Sequence, residues 1–143
     1  MELEAILLNK EVSYIDSLQK ELQTLNHTLK KLQPKLSKIC LSTTEGFEFI
    51  NLRDIVYCKA NGSYTSFILK DKTSLLVSKH LKEYENMLIN QHFMRIHNSF
   101  LINLREVRKF MKSDGGYIIM NNNHPISISK QKKKRFLNAM NNL

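Results

Sequence analysis

Apolar positions along the chain change their spacing near residue 36. Before it, Ile15, Leu18, Leu22, Leu25, Leu29, Leu32 and Leu36 recur at alternating intervals of three and four. That is a heptad seam, with Ile15, Leu22, Leu29 and Leu36 at a and the rest at d. The spacing predicts a helix from Leu3 to Gln33. Pro34 should end or kink it, because proline lacks an amide hydrogen and crowds the preceding turn. The seam spans about three heptads, near the lower limit for a coiled coil. Its flanks (Gln19, Glu21, Asn26, Thr28) offer no paired opposite charges to choose a partner. Such a helix self-associates, folds onto its own domain, or links to a partner domain.

After Pro34 the period shortens to two and turn residues multiply. Lys38–Leu41 and Phe47–Leu52 read as strands about a Glu45–Gly46 turn, and Ile55–Ala60 as a central strand. Asn61–Gly62 is a hairpin signal, since both central residues of a type I′ turn need positive φ. Tyr64–Leu69 returns, and Lys70–Asp71–Lys72 turns into Ser74–Val77. Ser78 is placed to cap a helix from Lys79 to about Ile89, with Leu81, Tyr84 and Leu88 on one face. Phe93–His97 and Phe100–Leu104 alternate, and the alternation breaks at His97–Asn98–Ser99, where a bend or bulge is expected. Arg95, His97, Asn98, Ser99 and Asn103 then form a cluster of donors for a rigid scaffold to present outward. Val107–Met111, Tyr117–Met120 and Pro125–Ile128 complete the strands, the last an edge strand because it holds a proline. Ser129 caps a final helix with Phe136, Leu137 and Met140 inward. The expectation is an N-terminal helix, residues 1–36, before a mainly β domain, residues 37–143, of many short strands with one or two helices.

Charge adds a partner class. The chain carries 22 Lys and Arg against 13 acids, a net +9. Residues 1–36 balance at five against five, so the whole excess lies in the β domain. A basic domain of this kind suits a polyanion, DNA or RNA, although a merely basic soluble protein would look the same on charge alone. Cys40 and Cys58 make no CxxC pair or metal spacing and read as reduced cytosolic thiols. His27, His92 and His124 show no zinc spacing. No GxSxG and no GxxxxGK is present, and each of the four glycines has a turn to explain it. No catalytic residue, metal or cofactor is expected. The first residues, Met1–Glu2–Leu3–Glu4, are not a basic signal region, and no apolar run reaches membrane-span length.

Four landmarks fall in an order that resembles the LytTR family of DNA-binding domains. They are Asp54–Ile55–Val56–Tyr57 through Asn61–Gly62–Ser63–Tyr64, then Ser78–Lys79–His80–Leu81–Lys82–Glu83–Tyr84–Glu85. The third is Phe93–Met94–Arg95–Ile96–His97–Asn98–Ser99–Phe100–Leu101–Ile102–Asn103, close to an F-x-R-x-H-x-S-x-x-x-N signature. The fourth is Ile126–Ser127–Ile128–Ser129–Lys130. The resemblance covers about residues 37–140. It implies a compact domain of about ten short strands, with one short internal helix and a C-terminal helix. It also implies sequence-specific binding of double-stranded DNA, commonly direct repeats, by loops rather than a recognition helix, in a cytoplasmic transcription regulator of the response-regulator type. Thirty-six helical residues are too few for the receiver domain that usually precedes such a domain, so a stand-alone or truncated regulator is expected.

By position, the resemblance places base contacts at Tyr64, Asn98 and Lys130. Other members often carry histidine or arginine at the first and arginine at the last. An asparagine carboxamide can pair two ways with adenine, whereas a turn asparagine bonds its own backbone. Arg95 meets a phosphate or a structural carboxylate. His97 is a groove contact or the hinge that pins the bend. Tyr64 stacks in a groove or packs across strands. Lys79, His80 and Lys82, expected in the first turn of the Ser78-capped helix, and Lys130, Lys132, Lys133, Lys134 and Arg135 would hold phosphates, unless they are solvated faces. Ser63 and Ser99 are further phosphate candidates. The seam makes a homodimer the expected state. A second class is an interaction module docking a sensor or membrane protein through the helix. A third, a single-stranded RNA binder, needs a row of exposed aromatics, and Tyr57, Tyr64 and Phe67 look like core instead.

Overall fold

The structure, a computed structural model, describes residues 2–32 and 36–143. Pro34, the expected helix stop, lies outside them. The chain forms two compact units. The first is helix α1 (Glu2–Leu32), along which Ile15, Leu18, Leu22, Leu25 and Leu29 are exposed. Leu36, counted above as the last seam position, is not helical. It begins the second unit, where its amide donates to Gln91 Oε1 at 3.1 Å.

The second unit holds ten strands: β1 (Lys38–Thr43), β2 (Gly46–Asn51), β3 (Ile55–Asn61), β4 (Tyr64–Leu69), β5 (Ser74–Val77), β6 (Phe93–His97), β7 (Phe100–Asn103), β8 (Val107–Met111), β9 (Tyr117–Met120) and β10 (Pro125–Ser127). Helix α2 (Leu81–Leu88) follows β5, and α3 (Lys133–Asn141) comes after β10. The fold is mainly β, as the strand pattern implied. The strands make three antiparallel sheets, β1–β2, β5–β4–β3–β7–β6 and β10–β9–β8. Pro125 does sit on an edge strand.

Alternation makes the five-stranded sheet two-sided. Cys58 and Leu101, paired across β3 and β7, face one core with Ile39, Leu41, Phe67 and, from α2, Leu81, Tyr84 and Leu88. The Phe67 and Tyr84 rings meet edge to face, centroids 4.8 Å apart. Their neighbours Tyr57 and Ile102 point the other way, into a second core with Ile96, Ile118, Met120, Ile126 and Phe136.

Four expectations are corrected, three of them by contacts distant in sequence. Helix α2 begins at Leu81, not Lys79. Thr65, fully buried on β4, donates its hydroxyl to the Lys79 carbonyl at 2.7 Å, which holds Lys79 outside the helix, and His80 is extended. His80, not Ser78, precedes the helix, so Lys79 and His80 lie outside its first turn. The Ser129 side chain caps nothing: its amide donates to the Ile96 carbonyl at 3.1 Å, and Lys130–Lys132 form a 3₁₀ turn before α3. On α3, Phe136 is buried and Met140 half-buried, while Leu137 faces solvent. Asn103 does not point outward. It is buried, donating to the Ile55 carbonyl at 2.9 Å and accepting from the Arg105 amide at 3.1 Å.

Candidate nucleic-acid interface

Antiparallel order sends the ends of β3, β5 and β6 and the starts of β4 and β7 to one end of the central sheet. Three connections therefore gather there: Asn61–Ser63, Ser78–His80 and His97–Ser99. Cross-links hold them together. The Ala60 amide donates to the Ser99 carbonyl at 2.8 Å, and Thr65 holds Lys79 beside β4. The bond from Ser129 to Ile96 brings Lys130 to the same end. Four inter-strand spacings of ~4.8 Å make this end about 19 Å wide.

The central loop is built from within. The pairing of β6 with β7 slips at Ile96, a bulge between Arg95 and His97. Bulges re-aim side chains. Arg95 Nε donates to the His97 carbonyl at 3.0 Å, and Nη2 donates to the Asn98 carbonyl. Its Nη1 lies 3.8 Å from Glu85 Oε1 on α2. Glu85 is a structural carboxylate within reach of Arg95, one of its two expected partners. His97 Nδ1 accepts the Ser99 amide at 3.1 Å, so the ring is oriented by the bend it closes. Asn98 is exposed at the tip, and its carboxamide has no hydrogen-bond partner among the described residues.

Around this loop, Ser63, Tyr64, Lys79, His80, Lys82 and Lys130 are exposed and Ser99 is half-buried. Tyr64 is 48% exposed, while Tyr57 and Phe67 are core. The basic run divides. Lys134 and Arg135 are exposed, whereas Lys132 and Lys133 are half-buried. Lys133 lies over the β8–β9 turn, where a Cβ on Gly116 would come within 3.0 Å of Lys133 Cε and 2.9 Å of Phe110 Cζ. With φ of +95° as well, only glycine suits position 116.

Three features were not anticipated. Lys59, exposed on β3, holds its Nζ 6.0 Å from the Phe100 ring centroid; a lysine in an otherwise apolar strand was the available signal. Glu85 supports Arg95 from another element, which no local pattern announces. Rings of His97, Phe100, Tyr57 and His124 follow one another at 6.0, 5.9 and 5.3 Å. Burial raises the Tyr57 phenol above its ordinary value, and a hydrogen bond from Asn122 offsets part of this. No metal-ligating cluster occurs among the described residues, and no helix there is long and apolar enough to cross a membrane.

The LytTr DNA-binding domain family model matches residues 45–141. A CO-responsive transcriptional regulator, RcoM of Rhodospirillum rubrum, is 31% identical over 86 residues, 59% of this chain; the chain covers 36% of that protein's length. A solved domain from Bacillus cereus, described as the LytTr DNA-binding domain of a methyl-accepting/DNA response regulator, superimposes with a TM-score of 0.63. The two are 20% identical, over 73% of this chain and 97% of that one, a likeness of fold. With its family match running from the β1–β2 turn into α3, the chain belongs to the LytTr family of DNA-binding domains.

Proposed function

We propose that the loop-bearing end of the central sheet reads double-stranded DNA in a sequence-specific, cytoplasmic transcription regulator. What carries this reading is the convergence of the exposed Asn98, Tyr64 and Lys130 on that one end. A width of about 19 Å exceeds the ~12 Å of a major groove. The central loop can therefore enter one groove while flanking loops meet the backbone or the next. Asn98 has both carboxamide atoms available for an adenine edge. Lys79, Lys82, Lys130, Lys134 and Arg135 are the phosphate contacts, with His80, Ser63 and Ser99 beside them. Lys132 and Lys133 contribute charge from half-buried positions. Arg95 and His97 act mainly by holding the loop. Sites in direct repeat would engage two domains.

Selection of bound duplexes from a random pool, followed by Asn98→Ala, tests this reading. The substitution should cost ~1–3 kcal/mol of preference at one base position. Equal weakening on specific and random duplexes would remove Asn98 from base reading.

For α1 (Glu2–Leu32) the proposed role is a separate association helix. Its exposed seam at Ile15, Leu18, Leu22, Leu25 and Leu29 favours a homodimer. Two linked readers gain avidity through effective concentration. The same seam docking a sensor or membrane protein is the competing reading.

A further inference from the structure

The ten-stranded unit is one motif used twice. Asn51–Leu52–Arg53–Asp54 and Asn103–Leu104–Arg105–Glu106 stand 52 residues apart, 51 to 103, each a 3₁₀ turn between two strands. Their backbone bonds repeat. Leu52 N donates to Ser37 O as Leu104 N does to His92 O, and Lys70 N donates to Asp54 O as Asn121 N does to Glu106 O. The next turn repeats as well. Thr73 N donates to Asp71 Oδ1 and His124 N to Asn122 Oδ1, after residues at φ of +71° (Lys72) and +67° (Asn123). Each half is thus a hairpin, a three-stranded meander and a helix: β1 to β5 with α2, then β6 to β10 with α3. Tyr84 and Phe136 hold the same place in the two cores.

Inside the chain the halves join edge to edge. The second hairpin adds β7 to the free side of β3, pairing Tyr57 with Ile102, Cys58 with Leu101 and Lys59 with Phe100. That join leaves its two equivalents unused. Among the described residues, β2, the counterpart of β7, has no strand on its outer edge, and neither has β8, the counterpart of β3. Phe49 occupies the position of Leu101, yet it is 68% exposed where Leu101 is 0%. Phe47 beside it is 70% exposed. The edges also differ in charge: Glu45 and Glu48 border β2, and Arg108, Lys109 and Lys112 border β8.

We infer that β2 of one copy pairs with β8 of a second copy of this chain, repeating between molecules the join that β7 makes with β3. Register carries over by the same offset. Ile50 meets Lys109, Phe49 meets Phe110 and Glu48 meets Met111. Glu48 is then diagonal to Lys109, within reach of an opposite-charge pair. Phe49 extends the partner's second core beside Phe110 and Phe136. The contact is head to tail, so it does not close on two copies, and the readers it joins point the same way. Lys38, at the place of the buried Phe93, puts a charge on the exposed face and keeps the edge soluble in the single chain.

Disulfide trapping of the full chain tests this contact. In a Cys40→Ser background, Phe47→Cys and Lys112→Cys stand where Ser99 and Ala60 meet inside the chain. Both native side chains are exposed, so folding is spared, and thermal melts check it. Mixing the two single variants and oxidising, with and without duplex, should yield a covalent heterodimer, while neither variant alone yields one. The doubly substituted chain should form a ladder. Adding Glu48→Lys should lower the yield of the heterodimer, and adding Lys109→Glu to the other variant should restore it. Absence of the heterodimer in both conditions, or an equal homodimer from Phe47→Cys alone, overturns the inference. Neither result touches the DNA reading, which duplex binding by the same variants measures separately.

Discussion

Arg95 is the residue on which the loop's shape turns. Its guanidinium joins the His97 and Asn98 carbonyls to Glu85 of α2. Hydrogen bonds from a charged donor contribute about 1.5–3 kcal/mol each. Arg95→Ala should therefore weaken specific binding about tenfold or more, with the salt slope changed by less than the ~0.9 of one phosphate contact. Glu85→Gln is the sharper test. Removing a negative charge near DNA would strengthen binding by its field alone, whereas loss of the Arg95 support should weaken the selected duplex and spare random ones. Titrations at several salt concentrations on both duplexes separate the outcomes. Arg95→Lys should not rescue, because an ammonium cannot reproduce the planar fork. Asn103 teaches a related lesson. Its place in an alternating strand was readable, but its partners Leu52 and Ile55 lie 51 and 48 residues away, so the spacing could not separate a buried clasp from an outward donor.

Two further residues set an alkaline limit. Burial pushes the Cys58 thiol well up from 9.0, and burial, helped by Glu83, pushes the Tyr84 phenol from 10.0 up to about 12. Below pH 9 folded and unfolded chains both keep these protons, and this contribution to stability is whole. Above it the unfolded chain ionises first, so stability falls by about 1.4 kcal/mol per pH unit for each group in its window. Tyr84 enters above pH 10. Chemical denaturation from pH 8 to 11 under reducing conditions should show the fall, and Cys58→Ala should move its onset up by about one unit.

At the scale of elements, α1 and the strands differ in how much the sequence discloses. Alternation, short apolar runs and the turn residues between them placed all ten strands within a residue or two, although β2 and β8 have no fully buried position. Helix starts were less legible. Ser78 and Ser129 are favourable cap residues, but tertiary bonds to Lys79 and Ile96 hold the backbone out of helix there. The seam of α1 was overextended by Leu36, whose spacing fits although its backbone does not. For α1 the expected outcome is plain. Leu22→Asp with Leu29→Asp should halve the mass seen by sedimentation if the seam holds two chains, and leave the β unit's melting transition in place. An unchanged mass would exclude the seam as the dimer contact.

At the scale of the whole molecule, the entire charge excess belongs to the unit that carries the loops, and salt dependence is its readout. Replacing Lys134 and Arg135, both exposed, with alanine should reduce the salt slope by ~1.8, about 0.9 for each lost phosphate contact, alike on every duplex. Lys133→Ala should behave differently, with a loss of stability from its packing over Gly116 alongside any change in slope. The repetition of Asn–Leu–Arg–acid is visible in the sequence; the paired backbone bonds that establish a repeated motif are visible only in three dimensions.

Because β3 and β7 share one sheet, neither half of the unit closes its own surface. A chain ending near Asn90, as ribosomal synthesis passes through that length, would leave the inner edge of β3 bare and its first core without Phe93 and Leu101. Nascent protein at that stage presents a template for strand addition to any neighbour. Folding on the ribosome is thereby set to wait until β6 and β7 have emerged, and holding chaperones have a defined interval in which to act.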